Sequence, residues 1–556
     1  MSSLASGLAI RFRWTADYLK HPDQGPAWRA RHRAGTGVAG AVAAALVCGF
    51  ALAGGSDGAG EGVSAPPDVP LPDVPLWEQR DDLNPKDRKR VGRITAPAQD
   101  FSKPERFEAM QGGAGTSTKL VNRDAFSHFS QNIEFKEEET FKLGNALFRK
   151  LWVSSPASTK ASDGLGPLFN ARACQSCHLK DGRGHPPEGD DDATSMFLRL
   201  ARPASSADER NAVAALEAIN FPDPVYGGQL QDLAVPGLKG EGRMVIEYED
   251  VPVILADGTT VTLRKPSYSV ADLAYGELYP ETTLSPRVAP QMIGMGLIQA
   301  IHPADLAANA DPQDENGDGI SGRIALVRHP KTGEIVPGRF GWKAENATVR
   351  QQSAGAFAGD IGISTPDVPS HHGDCTAGQA DCLGMPTGVQ AKLGDTEAPD
   401  PILDLVTFYS ENLAVPARRN VGDPKVLAGK ELFHDLGCTG CHRPKYVTSR
   451  KAENKAHRFQ LIWPYSDFLL HDMGEGLADG QQVGLAGGRE WRTPPLWGIG
   501  LTETVSGHTF FLHDGRARNL TEAILWHGGE AESSRNGFMA LEKEARDALI
   551  AFLESL

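Results

Sequence analysis

The chain has no long basic run, and its formal charge of −15 argues against nucleic-acid binding. Cysteine is scarce, with 7 in 556 residues, so any regular cysteine spacing is informative. No apolar segment is comfortably long enough to cross a membrane. The most apolar run, Val38 to Ala53, is charge-free but somewhat short for a stable span. Arg29, Arg31 and Arg33 precede it, and Ala51-Leu52-Ala53 ahead of Gly54 offers a small-residue cleavage site. Residues 1–53 therefore read as an export signal or a membrane anchor, with cleavage favoured over retention. The segment lacks an adjacent arginine pair. Ala45-Leu46-Val47 also lacks the small residue expected before a lipidated cysteine, so Cys48 is assigned to the discarded segment. Hydrophobic content of 40% and charged content of 23% are ordinary for a soluble protein, and the length allows about two to four domains.

Four of the seven cysteines fall in Cys174-Gln-Ser-Cys177-His178 and Cys438-Thr-Gly-Cys441-His442. At this composition chance would place about 0.003 Cys-x-x-Cys-His pentapeptides in a chain of this length. The spacing has a chemical reason. Two thiols three positions apart can each form a thioether with one porphyrin, and the adjacent histidine reaches the iron as fifth ligand. The competing reading is a pair of zinc or redox Cys-x-x-Cys turns. Two covalently bound haem c groups are expected. The 61 Gly and 38 Pro suit small, loop-rich haem domains, in which the porphyrin supplies much of the core. Cys375 and Cys382 lie in a Gly-, Asp- and Ala-rich loop and read as a local disulfide, the alternative being two unpaired thiols. Haem c and a disulfide both point to an oxidising compartment, so the protein is expected to be exported to the periplasm, with the N-terminus as a membrane tether if it is retained.

An internal repeat organises the body. Gly144-x-x-Leu-Phe148 precedes the first motif and Gly429-Lys-Glu-Leu-Phe433 the second, with a longer gap in the first copy. Each copy closes on an amphipathic helix, Pro401–Leu413 and Asp547–Leu556. The expected organisation is a Pro/Gly-rich linker over 54–104 that does not pack, a first cytochrome c-like domain over 105–416, and a second over 417–556. The first carries a long insertion, about 205–400, with β strands. Arg243–Glu249, Val251–Leu255 and Thr259–Arg264 look like the strands, with a turn at Ala256-Asp257-Gly258. The expected fold class is mainly α.

Several residues are candidates for further chemistry. Asp314, Asn316 and Asp318, with Gly319, open like a calcium loop, but Ala325 stands where the closing Glu belongs. A Ca2+ site completed by distant oxygens and a plain acidic turn both remain open. His471, Met473, His513 and His527 could each be a sixth ligand of the second haem. His185 is a weaker candidate at the first. Around Trp342 and Gln352 charged and amide groups sit beside aromatics, as an acid/base group and a donor above an open iron would require.

Phe169-Asn-Ala-Arg-Ala-Cys-x-x-Cys-His-x-Lys-Asp-Gly-Arg-Gly, Tyr465-Ser-Asp-x-Leu-Leu-His-Asp-Met-Gly, Arg492-Thr-Pro-Pro-Leu-Trp and His513-Asp-Gly-Arg-Ala resemble the bacterial di-haem cytochrome c peroxidase and MauG-like superfamily, most closely its di-haem oxidoreductase branch. The resemblance runs from about residue 120 to the end. It implies an electron-transfer haem fed by a small donor (a cytochrome c, a copper protein or a quinone-linked donor) and a second haem that reacts with hydrogen peroxide or a similar oxidant. The family's methionine ligand position is His527 here, which implies His442/His527 ligation and a lower potential. His178 is implied at the reactive haem, with Gln352 and Asp360 the nearest equivalents of the family's distal Gln and Glu. Asp is shorter than Glu and the spacing is eight, a departure from the family pattern. Trp342, Trp463 and Trp497 are candidates for the route between haems. The alternative function is a di-haem electron-transfer cytochrome with no substrate turnover, and a third is oxidation of a protein or polymer partner.

Overall fold

The computed structural model describes residues 77–188 and 193–556, so the expected signal or anchor segment, Cys48 and residues 54–76 of the expected linker lie outside the described residues. The rest of that linker differs from expectation, because residues 77–104 pack. Asn84 caps the Pro85–Thr95 helix by accepting from the Asp87 amide, and Pro85 opens its first turn. Leu83 and Val91 are buried against Val447, and the buried Arg80 guanidinium binds Asp82, Asp305 and the Val447 carbonyl. A charge-rich average concealed this narrow apolar stripe.

The repeat is realised as two equivalent helix pairs. Glu137–Phe148 packs on Asp400–Glu411, and Pro424–Asp435 packs on Lys543–Ser555. Glycine makes each crossing close. A Cβ on Gly144 would meet the Leu405 carbonyl oxygen at 2.2 Å and the Tyr409 Cβ at 2.7 Å. A Cβ on Gly429 would meet the Ala548 carbonyl oxygen at 1.9 Å and the Phe552 Cβ at 2.9 Å. The aromatic contacts repeat as well, Phe148–Tyr409 at 5.2 Å and Phe433–Phe552 at 5.1 Å between ring centres. Because backbone rather than a flexible side chain blocks the space, Gly429→Val should cost about 1–3 kcal/mol, read as a lower urea midpoint with an unchanged slope. A stability loss within about 0.5 kcal/mol would show that this crossing is not tight.

Among the described residues the chain forms fourteen α-helices, many of a single turn, and seven two-stranded sheets. This is a mixed architecture rather than a mainly helical one. The first two expected strands of the insertion are one strand, Arg243–Ile254, which pairs antiparallel with Thr260–Ala271 across Gly258 at φ 83°. The hairpin does not stay with the first half. Arg264 donates to the Arg516 and Gly515 carbonyls, Tyr268 donates to Asp514, and Asp257 pairs with Arg546. Met196–Ala201 pairs with Thr283–Val288, which sets Arg199 and Arg287 in adjacent strands. The described residues form one compact unit, and the boundary expected near 416 lies inside it. There Val415 is buried, its carbonyl accepts from the Ser117 amide, and Pro416 bridges to Ser117. Cys375 and Cys382 are disulfide-bonded.

Candidate haem sites

Each Cys-x-x-Cys segment forms a single helical turn, Cys174–Cys177 and Cys438–Gly440, so its two thiols lie close together. The following histidine is held in the same way in both copies. Phe148 lies 6.2 Å from the His178 ring and Phe433 lies 6.2 Å from the His442 ring, centre to centre. His178 Nδ1 is 2.8 Å from the Pro290 carbonyl oxygen and His442 Nδ1 is 2.9 Å from that of Tyr465. A carbonyl can only accept, so Nδ1 carries the proton and Nε2 keeps its lone pair for a metal. Burial pushes both imidazoles down to about 4, so they are neutral at pH 7, as ligation requires. Burial likewise pushes the Cys174 and Cys438 thiols up to about 12, the opposite of what a redox Cys-x-x-Cys needs.

Both motifs line one continuous cavity, whose empty volume counted out to its openings is about 2930 Å³. Its walls are largely apolar, with Phe148, Phe357, Val406, Phe433 and Leu553 among them. Arg183, Arg287, Arg339 and Arg492 line it from buried positions. Among the described residues Arg183, Arg339 and Arg492 have backbone carbonyls as hydrogen-bond partners and no ion pair. Burial pushes all three down to about 10. Buried cations without carboxylates are costly, and a flat macrocycle bearing two carboxylates would relieve that cost. Apolar walls, lone-pair histidines and unneutralised guanidinium groups together fit two haem groups. Cys174, Cys177 and His178 would hold one, and Cys438, Cys441 and His442 the other.

The four histidine and methionine candidates separate clearly. The His527 ring lies 6.5 Å from the His442 ring, centre to centre, and its Nδ1 is 2.7 Å from the Ala523 carbonyl oxygen, so its Nε2 is also unprotonated. Two imidazoles sharing one iron through bonds of ~2 Å would place their ring centres roughly 6 Å apart. His471 has no free lone pair, because Asp467 sits at Nε2 (2.8 Å) and Glu530 at Nδ1 (2.6 Å). Its burial is outweighed by these carboxylates, which hold it as imidazolium. His513 stacks on Trp491 at 3.8 Å and 13°, and its buried Nε2 makes no hydrogen bond, with Asp514 3.8 Å away. Met473 lines the cavity, and His185 is turned to the Pro186 carbonyl. Among the described residues no second histidine ring faces His178 as His527 faces His442.

Gln352 and Asp360 both lie on the Val349–Asp360 helix and both line the cavity, with Ala356 between them on the same stripe. A shorter acid at a spacing of eight, two helical turns, is thus compatible with a shared face. Asn346 donates to Gln352 Oε1 at 3.0 Å, which leaves the amide –NH₂ to donate elsewhere. Asp360 is raised from the ordinary carboxylate range, chiefly by burial, against the opposing influence of Arg199 and a hydrogen bond from Gln229. Of the three expected tryptophans, Trp342 lines the cavity, whereas Trp463 and Trp497 are core residues away from it. Trp491, which sequence reasoning did not single out, lines it instead. Cavity residues also missed were Arg199 and Arg287, for which strand-borne charges gave no signal. Arg183 and Arg492 were visible within the quoted motifs.

The calcium-like loop is braced by its own side chains. Asp314 accepts from the Gly319 amide, Asn316 from the Asp318 amide and Asp318 from the Ile320 amide, so the side-chain oxygens close local turns. Among the described residues, the one group of three acidic or histidine side chains close enough to share a cation is Asp81, Asp82 and His302. Arg80 and Lys451 already hold its carboxylates.

Residues 107–556 match the model of the family described as "Di-haem oxidoreductase, putative peroxidase". No curated protein and no solved structure matches the chain. With four-fifths of its length covered, from residue 107 through both Cys-x-x-Cys-His motifs to the last residue, the chain belongs to the di-haem oxidoreductase family.

Proposed function

We propose that the protein is a periplasmic di-haem c oxidoreductase that reduces hydrogen peroxide or a similar small oxidant at the haem of His178. Electrons enter from a small donor protein through the haem of His442 and His527. The observation that carries this reading is asymmetry: one centre is faced by a second imidazole, while the other faces a helix that presents an amide and a buried carboxylic acid. An iron closed on both sides suits electron transfer, and an iron with an open face suits chemistry. When bound, the haem supplies the electrons that break the oxygen–oxygen bond. The chain supplies the protons and their positioning. Asp360 takes a proton from one peroxide oxygen and returns it to the other as the bond between them breaks. Gln352 donates a hydrogen bond to the oxygen that develops charge. Trp342, Trp491 and His513 carry electrons across the cavity between the two centres.

Met292 and Met295 also line the cavity, and a thioether ligand from either would close the His178 haem and leave an electron carrier. Electron paramagnetic resonance of the holoprotein, oxidised and then half-reduced, separates the two readings. A high-spin signal that hydrogen peroxide consumes is the expected result. Two low-spin centres inert to peroxide in every redox state would leave only electron transfer.

A further inference from the structure

The Pro85–Thr95 helix carries a basic stripe on a protein whose net charge is −15. Lys86, Lys89, Arg90 and Arg93 follow the i, i+3, i+4, i+7 rule, which places them within about 100° of one another around the helix. All four are exposed, and among the described residues none has an ion pair. The inner side of the same helix is different: Val91 is buried and Asp87 pairs with Arg450. The stripe continues into a second segment, since Arg90, Arg93 and Ile94 share a groove with Arg106 and Phe107. Phe107 is 54% exposed, with the Arg106 guanidinium 4.6 Å from its ring centre. Five cations without counter-charges and an exposed aromatic ring thus form one face.

We infer that this face docks on the anionic phospholipid headgroups of a membrane. Cations that attract phosphate and an aromatic ring suited to the headgroup level are what an interfacial contact requires. Chain order supports the lipid surface, because the helix is the first element after residues 54–76 and the apolar run Val38–Ala53. Retained, that run would hold the helix near the bilayer and the basic face would add headgroup contacts; cleaved, it would leave the basic face as the membrane contact. A docking site for an acidic electron donor would need a nearby haem edge, and no residue from 77 to 147 lines the haem cavity.

Acetylation footprinting of the full-length holoprotein tests this, with exposed Lys142 as the internal reference. Vesicles rich in phosphatidylglycerol should slow modification of Lys86 and Lys89 roughly five-fold relative to Lys142, and phosphatidylcholine vesicles should not. The protection should vanish at high salt and in the surface variant Arg90→Glu/Arg93→Glu, with both haem spectra unchanged. Equal modification with both vesicle types would overturn the inference. So would protection by a small acidic electron carrier with none from vesicles. Because the readout is lysine reactivity, it is independent of whether the protein turns over peroxide.

Discussion

Replacing His527 by methionine should raise the reduction potential of the second haem by on the order of 0.2 V, a fraction of the ~0.8 V range that axial ligation spans. The sign follows from ligand softness. A thioether donates less to ferric iron than an imidazole and favours the ferrous state. The wild-type geometry supports the assignment, since the His527 and His442 rings are 6.5 Å apart and each has its Nδ1 proton on a backbone carbonyl. A potentiometric titration followed in the visible spectrum measures the change, and the potential of the His178 haem serves as an internal reference. An unmoved potential together with a retained bis-imidazole low-spin signal would remove His527 from the iron. His471 could not take its place without giving up a carboxylate partner at the ligating nitrogen.

Asp360→Asn should lower kcat/KM for hydrogen peroxide by roughly 10²–10⁴-fold, the usual contribution of a positioned acid/base group. Asparagine keeps the shape and can still accept from Gln229, so haem content and thermal stability should be nearly unchanged. The pH dependence provides a second readout. The free enzyme must present Asp360 ionised to take the first proton, and burial raises its pKa. Activity should therefore fall as pH drops through a value above the ordinary carboxylate range, and this acid limb should disappear in Asp360→Asn. An unchanged limb would mean that another group moves the proton.

How much of this could be read from the chain varied with the range of the interaction. The haem motifs are local: five consecutive residues contain both thiols and the histidine, and their spacing has one dominant chemical use. The glycine-containing helix repeat was legible because Gly144 and Gly429 occupy equivalent places before their motifs, and a backbone crossing tolerates no other side chain. The hairpin turn at Asp257-Gly258 was legible for a similar reason, since φ 83° at Gly258 favours glycine. By contrast, the linker assignment over 77–104 failed because composition averages over a helix, while packing depends on one stripe holding Leu83 and Val91. The mainly-α expectation undercounted short, isolated strand pairs such as Leu168–Phe169 with Leu233–Ala234, too brief to show a period of two.

The sequence by itself carried both Cys-x-x-Cys-His motifs, the helix that leads into each and the family to which the chain belongs. That Gln352 and Asp360 share one helix was not legible in it, because Val349–Asp360 carries no strong apolar periodicity. Only the tertiary structure decided which distant groups meet. His471 and His527 are equally good ligands on paper, yet one is clamped between Asp467 and Glu530 while the other faces His442. Trp342 and Trp491 line the haem cavity and Trp463 and Trp497 do not, a difference of burial direction rather than of residue type. The arginines of the cavity arrive from separate strands and loops, and the hairpin of the first half fastens onto the second. Such contacts are set by long-range packing and desolvation, which no local spacing encodes.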